Sequence, residues 1–135
     1  MSNVLYDKGR QAFLEGGIAY LTNNIKGVLV DAGAYTVNAA THQYLSDIAS
    51  GARIATSANM ASKTSTAGVA DAADVVFTAV TGVQSEAVVL YVDTGTATTS
   101  QLICYIDTAT GLPVTPNGGD INVVWDNGAN RIFKL

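Results

Sequence analysis

Residues 86–93 and 101–107 of this chain are near-continuous apolar runs bounded by turn residues. Runs of that length read as strands hydrophobic on both faces, and such a strand needs cover on both. Around them the pattern has a period of two. Residues 120–126 alternate, with Ile121, Val123 and Trp125 inward and Asn122, Val124 and Asp126 outward. Within residues 75–80, Val75, Phe77 and Ala79 share one face, and Val76, Thr78 and Val80 the other. Residues 25–31, 53–63 and 131–135 carry further strand patterns, with a shorter one at Val69. Asp93-Thr94-Gly95, Thr110-Gly111 and Asn117-Gly118-Gly119 supply turn residues that tolerate positive φ. Residues 126–130, between two apolar strands, carry the strongest hairpin signal. Pro113 and Pro116 fall only in the loop 108–119, where no ladder hydrogen bond is lost. The segment 71–74 reads either as a turn or as part of one bulged strand. The expected fold is therefore mainly β: an antiparallel β-sandwich or open barrel with a short N-terminal helix.

The helix belongs to the first fifteen residues. Asp7 suits the cap or first turn, and Leu5, Tyr6, Ala12, Phe13 and Leu14 offer an apolar face. Gly9 interrupts that pattern, and Gly16-Gly17 ends it. A second helical turn is expected over residues 41–48, capped by Thr41. The resulting organisation is residues 1–15 as an N-terminal helix or arm and 16–135 as a single β-rich domain. In the alternative reading, Phe13 and Leu14 cap the core.

The chain has 135 residues, a length suited to one core, and 48% of them are hydrophobic. Only 13% are charged, about half the roughly 25% of an average globular protein. Thr, Ala, Ser, Asn and Gly take the place of the charges. Such a surface loses little side-chain entropy when another surface covers it, which suits packing in an assembly; Thr-rich strands in an ordinary β protein account for it equally. Net charge is −4, and the seven bases are scattered along the chain. Nucleic-acid binding is not expected without a basic stripe. The longest apolar run, Ala87–Val92, falls far short of the roughly 18 residues of a membrane span. The opening residues lack a secretory pattern, and one cysteine makes no intrachain disulfide, so synthesis in a reducing cytoplasm is expected.

Residues for catalysis are few. His42 and Cys104 are single, and Cys104 sits in an apolar strand where thiol reactivity falls. His42 is expected at the rim of the turn over 41–48. Asp93, Asp107, Asp120 and Asp126 lie at strand ends and suit turns better than calcium, since no D-x-D-x-D-G loop occurs. The glutamates are Glu15 and Glu86 alone, and nothing nominates a hydrolytic pair. No phosphate-cradling glycine motif is present. Trp125, Tyr91 and Tyr105 are expected in the core or at its rim rather than in a groove. The reading is of a structural or binding protein with no cofactor, no metal and no catalytic residues.

Several stretches resemble a small family of tailed-bacteriophage virion structural proteins. They are residues 74–82 (DVVFTAVTG), 86–91 (EAVVLY), 93–96 (DTGT), 107–120 (DTATGLPVTPNGGD) and 125–134 (WDNGANRIFK), with the opening 5–10 (LYDKGR). Residues 25–30 and 45–48 extend the likeness over nearly the whole chain. The resemblance implies a virion component made in the host cytoplasm, and it brings no catalytic or ligand residues. Size and class fit best a capsid decoration, or cement, protein on the outside of the major capsid protein. In that role it would be a homo-oligomer in the assembled particle, with neither nucleic acid nor membrane as partner. A tail, neck or baseplate component is the alternative, and a carbohydrate-binding module on the virion surface is a third reading. In a decoration protein the N-terminal segment makes the contact, which nominates Leu5, Tyr6, Arg10, Phe13 and Leu14.

Overall fold

The computed structural model of the protein describes residues 3–129 and 131–135. Its centre is an antiparallel five-stranded sheet in the order β1 (Val4–Leu5), β8 (Leu102–Ile106), β7 (Ala87–Val92), β2 (Ile25–Val30), β3 (Arg53–Thr56). The two apolar runs are the neighbours β7 and β8, paired through Val89 with Tyr105 and Leu90 with Cys104. Both strands are buried along nearly their whole length, as runs without polar residues require.

Each face of this sheet has its own cover. On one side, Leu29, Val88, Leu90, Ile103 and Ile106 meet two smaller antiparallel sheets. One pairs β6 (Val75–Phe77) with β9 (Ile121–Val123); the other runs β10 (Phe133–Lys134), β5 (Val69–Asp71), β4 (Thr64–Thr66). On the other side, Val28, Val30, Val89, Tyr91 and Tyr105 meet Tyr6, Tyr35, Leu45, Ile48 and Ala52 from less regular chain. Each fully buried Val, Leu or Ile contributes about 1.5–3 kcal/mol, so the two faces together hold the fold. The protein is mainly β, sandwich-like and antiparallel, with one short N-terminal helix, and its sheets do not close into a barrel.

The helix α1 spans Asp7–Leu14, with Asp7 in its first turn. The expected apolar face over the first fifteen residues needs correction, because Val4–Leu5 is a strand antiparallel to Tyr105 and Cys104. The side chain of Tyr6, between strand and helix, lies wholly inside. The segment is built into the central sheet and does not project as an arm. Gly9 is what lets α1 lie on β8: a Cβ there would sit 2.6 Å from the Leu102 carbonyl oxygen. The glycine that weakens the helix as a sequence pattern is the one its docking needs.

Other expectations shift in similar ways. The pattern over residues 53–63 forms a strand only over Arg53–Thr56. Beyond it, Ser57 clips the chain to Gly27 by accepting its N–H at Oγ (2.9 Å) and donating its own N–H to the Gly27 carbonyl (2.8 Å). The strand at 75–80 stops at Phe77, and Ala79 turns into the left-handed region with its N–H on the Asp120 carboxylate. The segment 71–74 is a connection: Asp71 ends β5, and the Asp74 carboxylate accepts the Trp125 N–H at 3.0 Å. The turn over 41–48 is a 3-10 turn, Leu45–Asp47, held by the Asp47 carboxylate accepting the Gln43 and Tyr44 N–H groups rather than by Thr41.

The hairpin expected over 126–130 does not form between its flanking strands. β9 pairs with β6 and β10 pairs with β5, so the chain crosses from one small sheet to the other at this point. Asn130 lies outside the described residues. A hairpin that does form, β4–β5, turns on Ala67 and Gly68, both at positive φ (50° and 81°). Two successive positive φ values suit the twist of a two-residue hairpin, but Ala67 gives no such signal in the sequence.

Candidate functional site

The expected contact residues separate in the structure. Tyr6 is wholly buried and unavailable to a partner, which corrects its nomination. Its hydroxyl meets that of Tyr35 at 2.9 Å, and Tyr35 reaches His42 Nδ1 at 2.7 Å. The Asn38 N–H also donates to Nδ1, which is therefore an acceptor here. Burial pushes the Tyr35 phenol up to about 12, and it pushes Tyr6 up as well. The three side chains tie residues 35–42 to the central sheet.

Leu5 is half-buried on β1, and Phe13 is half-buried against Phe133, ring centroids 5.9 Å apart. Leu14 faces solvent, 89% exposed, and Leu135 beside it is 57% exposed. Phe13, Leu14 and Leu135 line one apolar hollow of about 400 Å³, with Arg10 and Lys134 at its rim.

A second concavity adjoins the hollow and shares Arg10 and Lys134 with it. This cleft, of about 390 Å³, runs between β1, the C-terminal half of β8 and the segment 131–134. Arg10, Arg131 and Lys134 line it, with Asp126 as the lone acid among the lining residues. Three of the chain's seven bases thus gather on one face of a molecule with net charge −4. Arg10 also lies 3.7 Å from Asp7, on an exposed pair. Arg131 donates to the Asn127 side-chain oxygen (3.1 Å), and its backbone is left-handed at φ 45°.

Sequence reasoning finds Arg10 and misses Arg131 and Lys134, since more than a hundred positions separate them and only the fold brings them to one cleft. The signal within reach was the charge pattern of 131–134, where Arg131 and Lys134 flank two buried residues, Ile132 and Phe133.

The remaining reactive groups are engaged in structure. Cys104 is buried, and desolvation pushes its thiol up, away from nucleophilic use. Asp93 accepts the Gly95 N–H and pairs with Lys26 at 3.0 Å; these two contacts hold its carboxyl below the usual range. Asp120 and Asp126 accept the N–H groups of Ala79 and Gly128. Among the described residues no three metal-ligating side chains converge, and no helix is long and apolar enough to cross a membrane. Trp125, Tyr91 and Tyr105 are all buried, and the Trp125 indole N–H donates to the Ala73 carbonyl.

No protein-family model matches this chain, and no curated protein matches it.

Proposed function

We propose that this chain is a structural component of a tailed-bacteriophage virion. In this reading it is a capsid decoration protein that binds the outside of the major capsid protein and reinforces the shell. The observation that carries the reading is the hollow lined by Phe13, Leu14 and Leu135. A side chain such as Leu14, 89% exposed at the end of a docked helix, gains from a partner what it lacks from the fold. The resemblance of residues 5–10, 74–82, 86–91, 93–96, 107–120 and 125–134 to phage virion proteins supplies the context. A surface with 13% charged residues supports contacts built on shape and apolar area. Symmetry in a shell lets one subunit touch several neighbours, so a modest single contact suffices.

The test is Leu14→Glu, a change at an exposed position that leaves the melting temperature where it is. Purified protein is mixed with undecorated shells, and bound copies are counted by mass spectrometry and located by electron cryo-microscopy. Wild type should coat the shell in copies numbering in the hundreds, and the variant should not bind. Density confined to the neck or tail, in a handful of copies, would overturn the decoration reading. Binding of wild type to glycans and not to particles would overturn the virion reading altogether.

A further inference from the structure

We propose that the cleft beside β1 is a strand-addition site for an extended, acidic peptide segment of the partner. The inference rests on the proposed function for the existence of a protein partner, and it assigns that partner's chemistry.

The cleft lies between two open sheet edges. β1 is the outermost strand of the five-stranded sheet, and β10 is the outermost strand of the three-stranded one. The Tyr6 N–H is spent on the Ile103 carbonyl at 3.0 Å. Strand alternation therefore turns the N–H and carbonyl of Leu5 to the opposite side, along the cleft. An exposed edge of this kind takes main-chain hydrogen bonds from any extended segment, and the flanking side chains choose which segment.

Here the flanking charges are Arg10, Arg131 and Lys134 against Asp126 and against Asp7, which lies 3.7 Å from Arg10, a local balance of +1 in a chain of −4. Arg131 and Lys134 are exposed, so their charges are available at the rim. Cations beside an open edge deter a second copy, which would bring the same three charges, and they favour a segment bearing Asp or Glu. Arg131 also keeps a left-handed backbone that glycine or asparagine would adopt at less cost, as residues retained for contact often do. The apolar hollow continues from the cleft past Arg10 and Lys134, so an acidic strand in the cleft and an apolar anchor on Leu14 would belong to one contact.

The experiment uses the full chain and a fluorescein-labelled peptide of alternating valine and glutamate, read by fluorescence anisotropy. Controls are the valine–lysine peptide and the valine–glutamate peptide N-methylated at every amide, so that neither edge can donate. Wild type should bind the glutamate peptide and neither control. Arg131→Glu with Lys134→Glu, both at exposed side chains, should weaken binding by about ten-fold or more, with an unchanged melting temperature. Equal binding of the lysine peptide, or undiminished binding by the double variant, would overturn the charge assignment. Equal binding of the N-methylated peptide would overturn strand addition. No binding of the glutamate peptide, by a protein that still coats shells, would overturn this inference and leave the proposed function standing.

Discussion

At the scale of single residues, the most informative positions are those where one atom decides a fit. Gly9 sits where a methyl group would meet the Leu102 carbonyl oxygen at 2.6 Å and the Ile103 carbonyl oxygen at 3.2 Å. Both obstacles are backbone, so neither can rotate aside. Gly9→Ala improves intrinsic helix propensity yet should cost about 1–3 kcal/mol, as overpacking does, read as a lower urea midpoint. An unchanged or raised midpoint would show that α1 docks elsewhere. Ser85 is the reverse case. Its hydroxyl is wholly buried and finds no hydrogen-bond partner among the described residues. A buried hydroxyl without a partner costs about 1–3 kcal/mol in desolvation, so Ser85→Ala should stabilise the protein by about 1 kcal/mol in the same assay. Neither effect is legible in the sequence: Gly9 reads there as a weak helix position, and Ser85 as one more polar residue before a strand.

At the scale of elements, the first fifteen residues carry the sharpest revision. A helix ahead of Gly16-Gly17 suggests an arm that can leave without harm. Instead, Val4–Leu5 extends the central sheet, Tyr6 fills the second core cluster, and Phe13 packs on Phe133. Deleting residues 1–15 should therefore lower the melting temperature sharply or prevent folding, since losing a buried Phe- or Tyr-sized side chain alone costs about 3–5 kcal/mol. A truncated protein that melts with wild type, followed by circular dichroism, would restore the arm. The strands show a similar division. β7, β8 and the inward side chains of β9 follow directly from pattern, because a buried strand must be apolar wherever it faces neighbours. Which strand pairs with which does not follow: β9 and β10 look like a hairpin in sequence but join different sheets. Trp125 decides this locally, because its backbone N–H goes to Asp74 and its indole N–H to Ala73, turning the chain toward β5 and β6.

At the scale of the whole molecule, titration couples many groups to one fold. Desolvation raises Tyr6, Tyr20, Tyr35, Tyr91, Tyr105 and the Cys104 thiol above their ordinary values. A raised folded value gives stability that is full below the unfolded value and lost as pH climbs toward the folded one. From about pH 10 upward the protein should therefore unfold cooperatively, with tyrosinate absorbance rising in step with the loss of β signal. Ionisation of more than one of the six tyrosines well before unfolding would contradict the burial of these five rings. On the acid side, the Gly95 N–H and Lys26 hold Asp93 low. For Asp47, burial opposes ionisation, but the Gln43 and Tyr44 N–H groups outweigh it and the carboxyl is also low. Their contribution is full above the ordinary carboxylate value, near pH 4, and is lost as pH falls below it; Asp93→Asn should flatten that fall. The class of the fold, the strands buried on both faces and the presence of a single His and a single Cys are properties of sequence alone. They depend on local period and on which residue types exist, and no partner in space can change either. The pairing of strands, the seat of the N-terminal segment and the meeting of Arg10 with Arg131 and Lys134 belong to the tertiary structure. They join positions more than a hundred residues apart, chosen by packing and backbone hydrogen bonds that no local pattern encodes.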